Sequence, residues 1–501
     1  MVRPASFSYS APMLQASCDV LLCTSNARYI HPAFGLRCLL ANLGPLQSRA
    51  RLLESDIKTE PSTVAEAILA EAPRIVGLGA HVWNATRLAD IAARLKAARP
   101  DLVLVLGGPE LTSEETDLTR PADYIVVGEG EEVFRRLCVD LLEGRRPAGR
   151  FLRAAPVDLS RLALPYELYT DADLKHRITY VESSRGCPYH CDYCLSAGDA
   201  PVRYFPLPPL LDALDRLLDR GARTLKFVDR TFNLDLERCC ALLAFFLERM
   251  RPGLFVHFEM VPDRFPDELR GLLARFPTGS LQLEIGVQTF NPEVAARIRR
   301  PLRPELVEEN LAFLRKRTNA ILHTDLIAGL PGETAESFAA GFDRLARLDP
   351  HKIQIGILKR LPGAPLARHD GPGAMRYNPR PPYEILSTSA MKEAELIEIK
   401  RFARFWERVV NRGHFPRTAP LLWAGAASPY RAFAEFSRWL FARFGRDYRL
   451  PLTELADALF EFLTEARGLS RERTATSLLN DYREPGRKDT PRGLRPYTAR
   501  G

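Results

Sequence analysis

The sequence predicts an α/β protein with an amino-terminal doubly wound (flavodoxin- or Rossmann-like) parallel sheet, a central partial (βα)6 TIM-like barrel and an all-helical carboxyl-terminal region. Five short apolar runs alternate with amphipathic helices up to residue 145, and six further strand–helix units follow up to 365. Beyond that point the periodicity is helical and rich in Ala, Leu, Phe, Glu and Arg. At 501 residues the chain exceeds the size at which a single hydrophobic core stops growing, so several domains are expected.

The first domain is expected over residues 18–145, with a flavodoxin-like strand order. Its strands are predicted at 18–24, 49–55, 74–80, 101–108 and 122–130, and its helices at 33–43, 62–72, 86–98 and 131–143. Ligands bind such sheets at the carboxyl ends of the strands. The candidate binding segments are therefore 25–31, 79–84, 107–110 and 128–131.

The remaining chain divides into four predicted parts. They are a linker at 146–176, a barrel at 177–365, a helical domain at 366–480 and a loose or draped, basic, Pro/Gly-rich tail at 481–501. The barrel strands are predicted at 177–184, 224–230, 253–260, 280–288, 320–330 and 352–359. Functional residues of barrels gather at the carboxyl ends of their strands.

Composition narrows the class of protein. The 46% hydrophobic and 26% charged residues are near the globular average, and the nine cysteines are an odd, mostly scattered set that favours a reducing compartment. No signal peptide and no long apolar run are seen, so a cytoplasmic protein without a membrane span is expected. The net charge of +8 comes from Lys and Arg interspersed with acids, which favours a solvated surface over a nucleic-acid footprint.

A cluster of three thiols follows the first barrel strand. Cys187, Cys191 and Cys194 have the spacing C-x3-C-x2-C. Thiolates are the ligands of iron–sulfur clusters, and three of them would hold three irons of a [4Fe–4S] cube, leaving the fourth iron open to a small chelating molecule. A zinc site is a weaker alternative, because His190 lies between two of the thiols and no second C-x2-C is present. The remaining interpretation is that the three residues are unrelated free cysteines that bind no metal.

This motif, with Tyr193 before the third cysteine, resembles the radical S-adenosylmethionine (SAM) superfamily. The resemblance implies that SAM chelates the open iron and is cleaved to a 5′-deoxyadenosyl radical. Three further segments resemble the SAM-binding motifs of that family: "FVDRTFN" (227–233), "LEIGVQTFNP" (283–292) and "DLIAGLPGET" (325–334). They imply the SAM-binding residues Tyr193, Asp229, Glu284, Gln288, Gly329 and Gly332.

The first domain is similar to the cobalamin-binding domain of the B12-dependent radical SAM class. The segments "SNARYIHPAFGLRCL" (25–39), "LGGPELTSEE" (106–115) and "ADYIVVGEGEEVF" (122–134) carry this resemblance. The cobalt-ligating motif D-x-H-x-x-G is absent, which implies cobalamin bound without that histidine and with its lower face against 79–84. The implied cobalamin-binding residues are Asn26, Tyr29, His31, Gly79, His81, Trp83, Asn84, Gly107, Gly108, Gly128 and Gly130.

Simpler roles stay open for some of these residues. His31 and His81 could be ordinary polar loop residues, and Trp83 could fill a domain interface rather than contact the corrin. Cys239 and Cys240, on a predicted helix, are interpreted as packing residues. The stretch "PPYEILSTSAMKEAEL" (381–396) resembles the uncharacterised helical extension carried by one branch of the same class.

The function implied is that of a cobalamin-dependent radical SAM methyltransferase acting at an unactivated carbon or phosphorus centre. The expected partners are a small-molecule or peptide substrate and an external electron donor of flavodoxin or ferredoxin type. A B12-dependent rearrangement or cyclisation is the first alternative, and tRNA modification is the second. A non-enzymatic B12 or redox sensor is the third. No catalytic acid, base or nucleophile is assigned.

Overall fold

A computed structural model describes residues 8–9, 18–198, 201–371, 373–484 and 486–500. The chain forms two compact units. The first runs to Gln282 and includes 359–368 and 378–384, and the second comprises the rest.

The amino-terminal sheet of the first unit has seven strands in the order β1-β3-β2-β4-β5-β6-β7. They are β1 Ser8–Tyr9, β2 Val20–Asn26, β3 Ala50–Asp56, β4 Ile75–Gly79, β5 Val103–Gly107, β6 Tyr124–Val127 and β7 Phe151–Arg153. All neighbours are parallel except β1, which pairs antiparallel with β3. The five central strands have the flavodoxin-like order that the sequence predicts.

Helices cover both faces of this sheet because its central strands are apolar on both sides. The helices are α1 Phe34–Ala41, α2 Pro61–Ala70, α3 Ala85–Ala98 and α4 Glu131–Leu142. Leu21 and Cys23 pack with α2 and α3, whereas Val20 and Leu22 pack with α1 and α4. The alternation along β2 therefore produces two apolar cores.

The predicted linker contains regular structure. Its residues Phe151–Arg153 form β7, which pairs parallel with β6 and extends the sheet by one strand. Helix α5, Asp171–His176, begins with a capping box in which Thr170 and Asp173 bond each other's backbone N–H groups. The segment thus extends the first sheet and then leads into the next strand.

A second sheet has six strands in the order β8-β11-β12-β13-β14-β15, which is the sequential order of a partial barrel. The first unit contributes β8 Thr179–Val181, β11 Thr224–Phe227 and β12 Phe255–Met260, which are parallel. Between them lie β9 Ser184–Arg185, β10 Arg203–Tyr204, α6 Leu207–Asp219, α7 Leu236–Glu248 and α8 Asp267–Leu273. Cys239 and Cys240 are buried on α7.

The boundary between the units falls within β13, Leu281–Gln288. The second unit continues with α9 Pro292–Arg297, α10 Pro304–Arg317, β14 Ile321–Ala328, α11 Ala335–Arg347 and β15 Lys352–Ile357. Strands β14 and β15 are parallel. A short antiparallel ribbon follows, formed by β16 Met375–Tyr377 and β17 Ile385–Thr388.

The carboxyl-terminal region is helical from Glu393 onward. Its helices are α12 Glu393–Trp406, α13 Pro429–Phe444, α14 Leu452–Glu461 and α15 Arg471–Arg483. Trp406 lies in an aromatic core with Phe342, Phe402 and Phe433. Helix α12 begins later than the periodicity from 383 predicts, because the residues before it pair in the ribbon.

The basic tail is packed rather than loose. The carboxylate of Asp457 on α14 accepts hydrogen bonds from the backbone N–H groups of Arg492 and Gly493, and Leu494 is fully buried. Within the described ranges, no helix combines the length and apolarity needed to cross a membrane.

A buried network of charges joins the first sheet to the segment that leads into β8. Glu54, 1% exposed, accepts hydrogen bonds from Arg37 at 2.8 Å and Arg177 at 2.9 Å. Both guanidinium groups also bond Asp173, at 3.1 and 3.0 Å. Burial disfavours the Glu54 carboxylate, but Arg37 and Arg177 outweigh burial and lower its pKa to about 2.

Removing this carboxylate should destabilise the first unit. Glu54→Gln leaves two buried guanidinium groups with one carboxylate, so we expect a loss of about 3–5 kcal/mol in the free energy of unfolding by urea. The matched control is Asp90→Asn, which breaks the exposed pair with Arg94 and should cost less than about 1 kcal/mol. Equal losses in the two variants would contradict the prediction.

The same carboxylate makes stability depend on pH. Because its folded pKa lies below the unfolded value of about 4.3, its contribution is complete above pH ~4.3 and is lost as the pH falls toward 2. In the Glu54→Gln variant, the free energy of unfolding should therefore fall less steeply as the pH is lowered from ~4.3 toward 2.

Candidate cofactor and substrate cavity

A cavity of about 890 Å³ lies in the first unit. Part of its wall comes from the carboxyl ends of β2, β4, β5 and β6 together with helix α1. The opposite part comes from the barrel strands, through Tyr180, Glu182, Lys226 and Glu259. Leu195, next to the last cysteine of the triad, also lines it. One space is thus bordered by both sheets of this unit.

Glycines keep the sheet side of the cavity open. A Cβ atom at Gly107 would have its nearest neighbour, the carbonyl oxygen of Val126, at 3.9 Å, so this cavity-lining position accommodates a Cβ in ordinary van der Waals contact. Gly108 has φ +117°, and a Cβ there would lie 2.3 Å from the carbonyl oxygen of Ala80. Only glycine therefore fits where the ends of β4 and β5 approach each other.

Most of the residues predicted to bind cobalamin lie around this cavity. The structure places nine of them in its wall: Asn26, His31, Gly79, His81, Trp83, Gly107, Gly108, Gly128 and Gly130. Asn84 lies behind the wall, where its fully buried amide bonds Thr24 and the carbonyl oxygens of Ser25 and Gly79. Tyr29 is outside as well, with its ring under the guanidinium of Arg177. The assignment of these residues to cobalamin remains a prediction.

Sequence reasoning missed several charged residues of the cavity. Arg185 forms ion pairs with Glu129, Glu131 and Glu182 in its wall. Burial raises the pKa of Glu182 to about 7, even though the charge of Arg185 opposes this shift. In the sequence, the "GEGEE" stretch at 128–132 indicates that acidic side chains lie at this strand end. The strand pattern does not reveal which arginine neutralises these carboxylates.

A second polar contact borders the cavity at Glu110. Its carboxylate accepts a 2.6 Å hydrogen bond from the hydroxyl of Tyr383, which has φ +58°. Burial raises the pKa of Glu110. Leu361 and Pro362, from the other late segment of this unit, line the cavity too. These contacts link residues more than 250 positions apart in sequence.

The three cysteines lie on a short loop after β9. Cys191 is 3% exposed, and Cys187 and Cys194 are partly exposed. Within the described ranges none of the three forms a disulfide bond, and the backbone N–H of Cys194 donates a 3.0 Å hydrogen bond to the carbonyl of Cys191. Among the described residues, no three His, Cys, Asp or Glu side chains are already gathered as metal ligands. The donor set still fits an iron–sulfur cluster, because ligand convergence can accompany metal binding.

His190 is already engaged within this loop. Its Nδ1 lies 2.9 Å from the carbonyl oxygen of Ala197, so that nitrogen donates to the backbone. This contact braces the loop that carries the three thiols.

Asp229 supports the entrance to the cysteine loop. It is 1% exposed and accepts three hydrogen bonds, from the backbone N–H and hydroxyl of Ser183 and the hydroxyl of Ser184. Burial raises the pKa of Asp229. Its carboxylate therefore ties the end of β11 to the segment preceding the thiols. The predicted contact with SAM remains a prediction, as it does for the partly exposed Tyr193.

The other predicted SAM-binding residues belong to the second unit. Glu284 and Gln288 lie on β13, and Gln288 has φ +70° at the end of the strand. Gly329 and Gly332 have φ +86° and +82°, so the turn after β14 requires glycine at both positions. Their roles toward SAM remain predictions.

The same unit contains a buried carboxyl group that the sequence did not single out. Glu333 accepts a 2.6 Å hydrogen bond from Thr289, and its burial raises its pKa to about 7.

Comparison with known families identifies three parts of the chain. Residues 21–138 match the B12 binding domain, 181–345 match the radical SAM superfamily, and 374–495 match a protein family of unknown function, DUF4080. The matches follow one another in the order that the sequence implies.

Curated relatives are similar over part of their length. A 2-(S-pantetheinyl)-carbapenam-3-carboxylate methyltransferase of Streptantibioticus cattleyicolor is 26% identical over 59% of this chain and 48% of its own. A tRNA-2-methylthio-N(6)-dimethylallyladenosine synthase of Ralstonia pickettii is 27% identical over 55% of this chain and 62% of its own. The chain thus spans about half to three fifths of the relatives it matches.

Solved structures share the fold over nearly the whole chain. The radical SAM methyltransferase TsrM from Kitasatospora setae, with cobalamin and a [4Fe–4S] cluster bound, superposes with a TM-score of 0.62 at 18% identity, covering 94% of this chain and 100% of TsrM. The cobalamin-dependent SAM radical enzyme OxsB, with aqua-cobalamin and SAM bound, gives 0.63 at 13% identity, covering 93% and 79%.

The chain thus combines a match to the B12 binding domain, a match to the radical SAM superfamily and a match to DUF4080, and it shares the fold of TsrM and OxsB. The cofactor prediction is confirmed for cobalamin and SAM by the two domains.

Filling the cavity at Gly107 should displace cobalamin without unfolding the chain. Gly107→Val adds a side chain at the cavity wall, so we expect a cost of about 1–3 kcal/mol in binding, roughly a 5- to 150-fold rise in Kd. Cobalamin retained after desalting is the measurement, and Gly271→Val, at an open position on α8, is the matched control. Wild-type retention by Gly107→Val would show that cobalamin binds elsewhere.

Proposed function

We propose that the protein is a cobalamin-dependent radical SAM methyltransferase that acts on an unactivated carbon or phosphorus centre of a small molecule or peptide. The observation that carries the proposal is the single cavity bordered by the strand ends of the B12-binding domain, by barrel strands and by Leu195 beside the cysteine loop. Substrate held in that space would meet both cofactors at once. Holding reactants together in this way is the main contribution of a protein to cofactor chemistry.

The protein would bind its cofactors through two sets of residues. Cys187, Cys191 and Cys194 would hold a [4Fe–4S] cluster, and the cavity-lining glycines would leave room for cobalamin. When bound, these groups supply the electron that cleaves SAM and the carrier for its methyl group. The Asp229–Ser183 contacts would fix the start of the cysteine loop relative to β11.

Polar side chains on the barrel side of the cavity would orient the substrate. Lys226 and Glu259 lie on neighbouring strands with Nζ and Oε1 3.9 Å apart, and Arg230 follows on the same side. Leu361 and Pro362 would shield this region from bulk water. The mixture of charges in an otherwise apolar wall favours a compact polar substrate over a nucleic acid backbone, which calls for an extended basic surface. An external electron donor would reduce the cluster.

Loss of the three thiols should abolish iron binding and SAM cleavage together. We expect the Cys187→Ala/Cys191→Ala/Cys194→Ala variant, reconstituted anaerobically, to lack the iron–sulfur absorption band and to form no 5′-deoxyadenosine. Cys240→Ala, which alters a buried thiol on α7, should keep both. Iron and SAM cleavage unchanged in the triple variant would refute the radical SAM assignment of this loop.

Methyl transfer can be tested without knowing the substrate. Reduced, cobalamin-loaded protein mixed with methyl-labelled SAM should yield about one S-adenosylhomocysteine per cobalamin, with the label in the cobalamin fraction. Protein prepared without cobalamin serves as the control.

The alternatives predict different results. A B12-dependent rearrangement or cyclisation would give 5′-deoxyadenosine but no S-adenosylhomocysteine, and a sensor would give neither. A tRNA-modifying enzyme, the activity named for the Ralstonia relative, would bind RNA with a steep salt dependence. Any one of these three results would contradict the methyltransferase proposal.

A further inference from the structure

We propose that Arg230 anchors an oxyanion of the substrate, a carboxylate or a phosphate group, in the cavity of the first unit. The inference rests on the proposed function and deepens it, because it names a chemical class for the molecule that would be methylated. It follows from the charged side chains of the cavity wall and from the way in which the fold presents this arginine.

Each acidic side chain of the described cavity wall already has an ion-pair or hydrogen-bond partner. These pairs are Glu110–Tyr383, Glu129–Arg203, Glu131–Arg185, Glu182–Arg185 and Glu259–Lys226. The last pair is loose, because Nζ of the lysine lies 3.9 Å from the carboxylate, beyond hydrogen-bond distance. A cationic substrate would therefore have to compete with an existing partner for any of these carboxylates.

Arg230 is the opposite case. The lysine and arginine side chains that line the cavity are Arg185, Lys226 and Arg230, and the first two have the acidic neighbours just named. Among the described residues, no carboxylate pairs with the guanidinium of Arg230 and no acceptor takes a hydrogen bond from it. The described wall therefore leaves one positive charge for a ligand.

The position of Arg230 follows from the alternation of β11. Lys226, Val228 and Arg230 line the cavity, whereas Phe227 and Asp229 between them are buried. Alternate residues of an extended chain point to opposite faces, and here this pattern continues past the end of the strand. Arg230 is also the exposed residue of the segment 227–233, whose other members are buried or half-buried.

The backbone that carries Arg230 is fixed on both sides. Before it, the carboxylate of Asp229 accepts hydrogen bonds from the backbone N–H and the hydroxyl of Ser183. After it, the backbone N–H of Phe232 donates a 3.0 Å hydrogen bond to the carbonyl of Glu259 on β12. A binding group on a fixed segment loses little freedom when its ligand arrives.

The chemistry of guanidinium selects the class of ligand. Its planar fork of N–H donors matches the two oxygens of a carboxylate or phosphate, and such charge-assisted pairs are stronger than neutral hydrogen bonds. Filling the cavity with cofactors and substrate would remove water from Arg230, and an unpaired charge is costly to desolvate. An oxyanion on the substrate compensates this loss and also fixes the orientation of the substrate in the cavity.

Chemical modification of arginine tests the proposal without a known substrate. Anaerobically reconstituted protein, loaded with cobalamin and SAM, is treated with phenylglyoxal, and the rate of modification of each arginine is followed by peptide mass spectrometry. At constant ionic strength, inorganic phosphate or succinate should slow the modification of Arg230. The matched control is Arg136, an exposed residue of α4 outside the cavity wall, whose modification should not change.

The outcomes separate the possible anions. Protection at lower concentrations of phosphate would assign a phosphate group to the substrate, and stronger protection by succinate would assign a carboxylate. Cobalamin or SAM alone could instead protect Arg230 fully, in which case the arginine holds an oxyanion of a cofactor and the proposal is overturned. Failure of both phosphate and succinate to protect it would also overturn the proposal.

Two variants measure the contribution of the guanidinium. In isothermal titration of the loaded protein, Arg230→Gln should raise the Kd of the protecting anion about 10- to 150-fold, the factor expected for hydrogen bonds to a charged group. Arg136→Gln should bind this anion like the wild type, and equal Kd values in all three proteins would contradict the proposal.

The methyl-label assay distinguishes this inference from the proposed function. A protein in which anions protect Arg230 but no methyl group passes from SAM to cobalamin would keep the oxyanion site and refute the methyltransferase. Methyl transfer to cobalamin without protection of Arg230 would overturn the oxyanion site alone.

Discussion

The buried carboxylate of Glu54 is the contact on which the first unit depends. It lies on β3 and receives hydrogen bonds from Arg37 on α1 and from Arg177 just before β8, so one side chain joins helix, sheet and barrel entrance. It also accepts from the side chain of Asn26 and the backbone N–H of Ala33, which delimit the loop after β2. A charge this deeply buried is tolerated only because all its acceptor sites are used. Glu54 therefore fixes both ends of the loop after β2, which borders the cavity.

The cavity combines two requirements that oppose each other. Its sheet side must be free of side chains, which glycine achieves at Gly107 and Gly108, where the ends of β4 and β5 come close together. Its barrel side carries charges, of which Glu182 pairs with Arg185 and Lys226 lies 3.9 Å from Glu259. In the proposed function, cobalamin occupies the first side, while the polar atoms of a substrate face the second. Separating the two roles lets one space hold both.

The sequence by itself determined the two sheets and their cofactors. The period of its apolar runs is set by local geometry, and the spacing of Cys187, Cys191 and Cys194 is a local chemical signature. It also located the cavity, since strand ends of a doubly wound sheet share one edge. It did not give the β7 extension, the ribbon before α12 or the packed tail, because each depends on pairing with distant residues.

Only the tertiary structure decided which predicted residues reach the cavity. The side chain of Asn84 donates to the buried carbonyl of Gly79, and that of Asp229 accepts from the hydroxyl of Ser183. These hydrogen-bond partners fix the positions of both side chains. Arg185, Glu182 and the Glu110–Tyr383 contact became visible only in three dimensions. The physical reason is that burial and charge pairing are properties of neighbours in space, and the sequence orders those neighbours only along the chain.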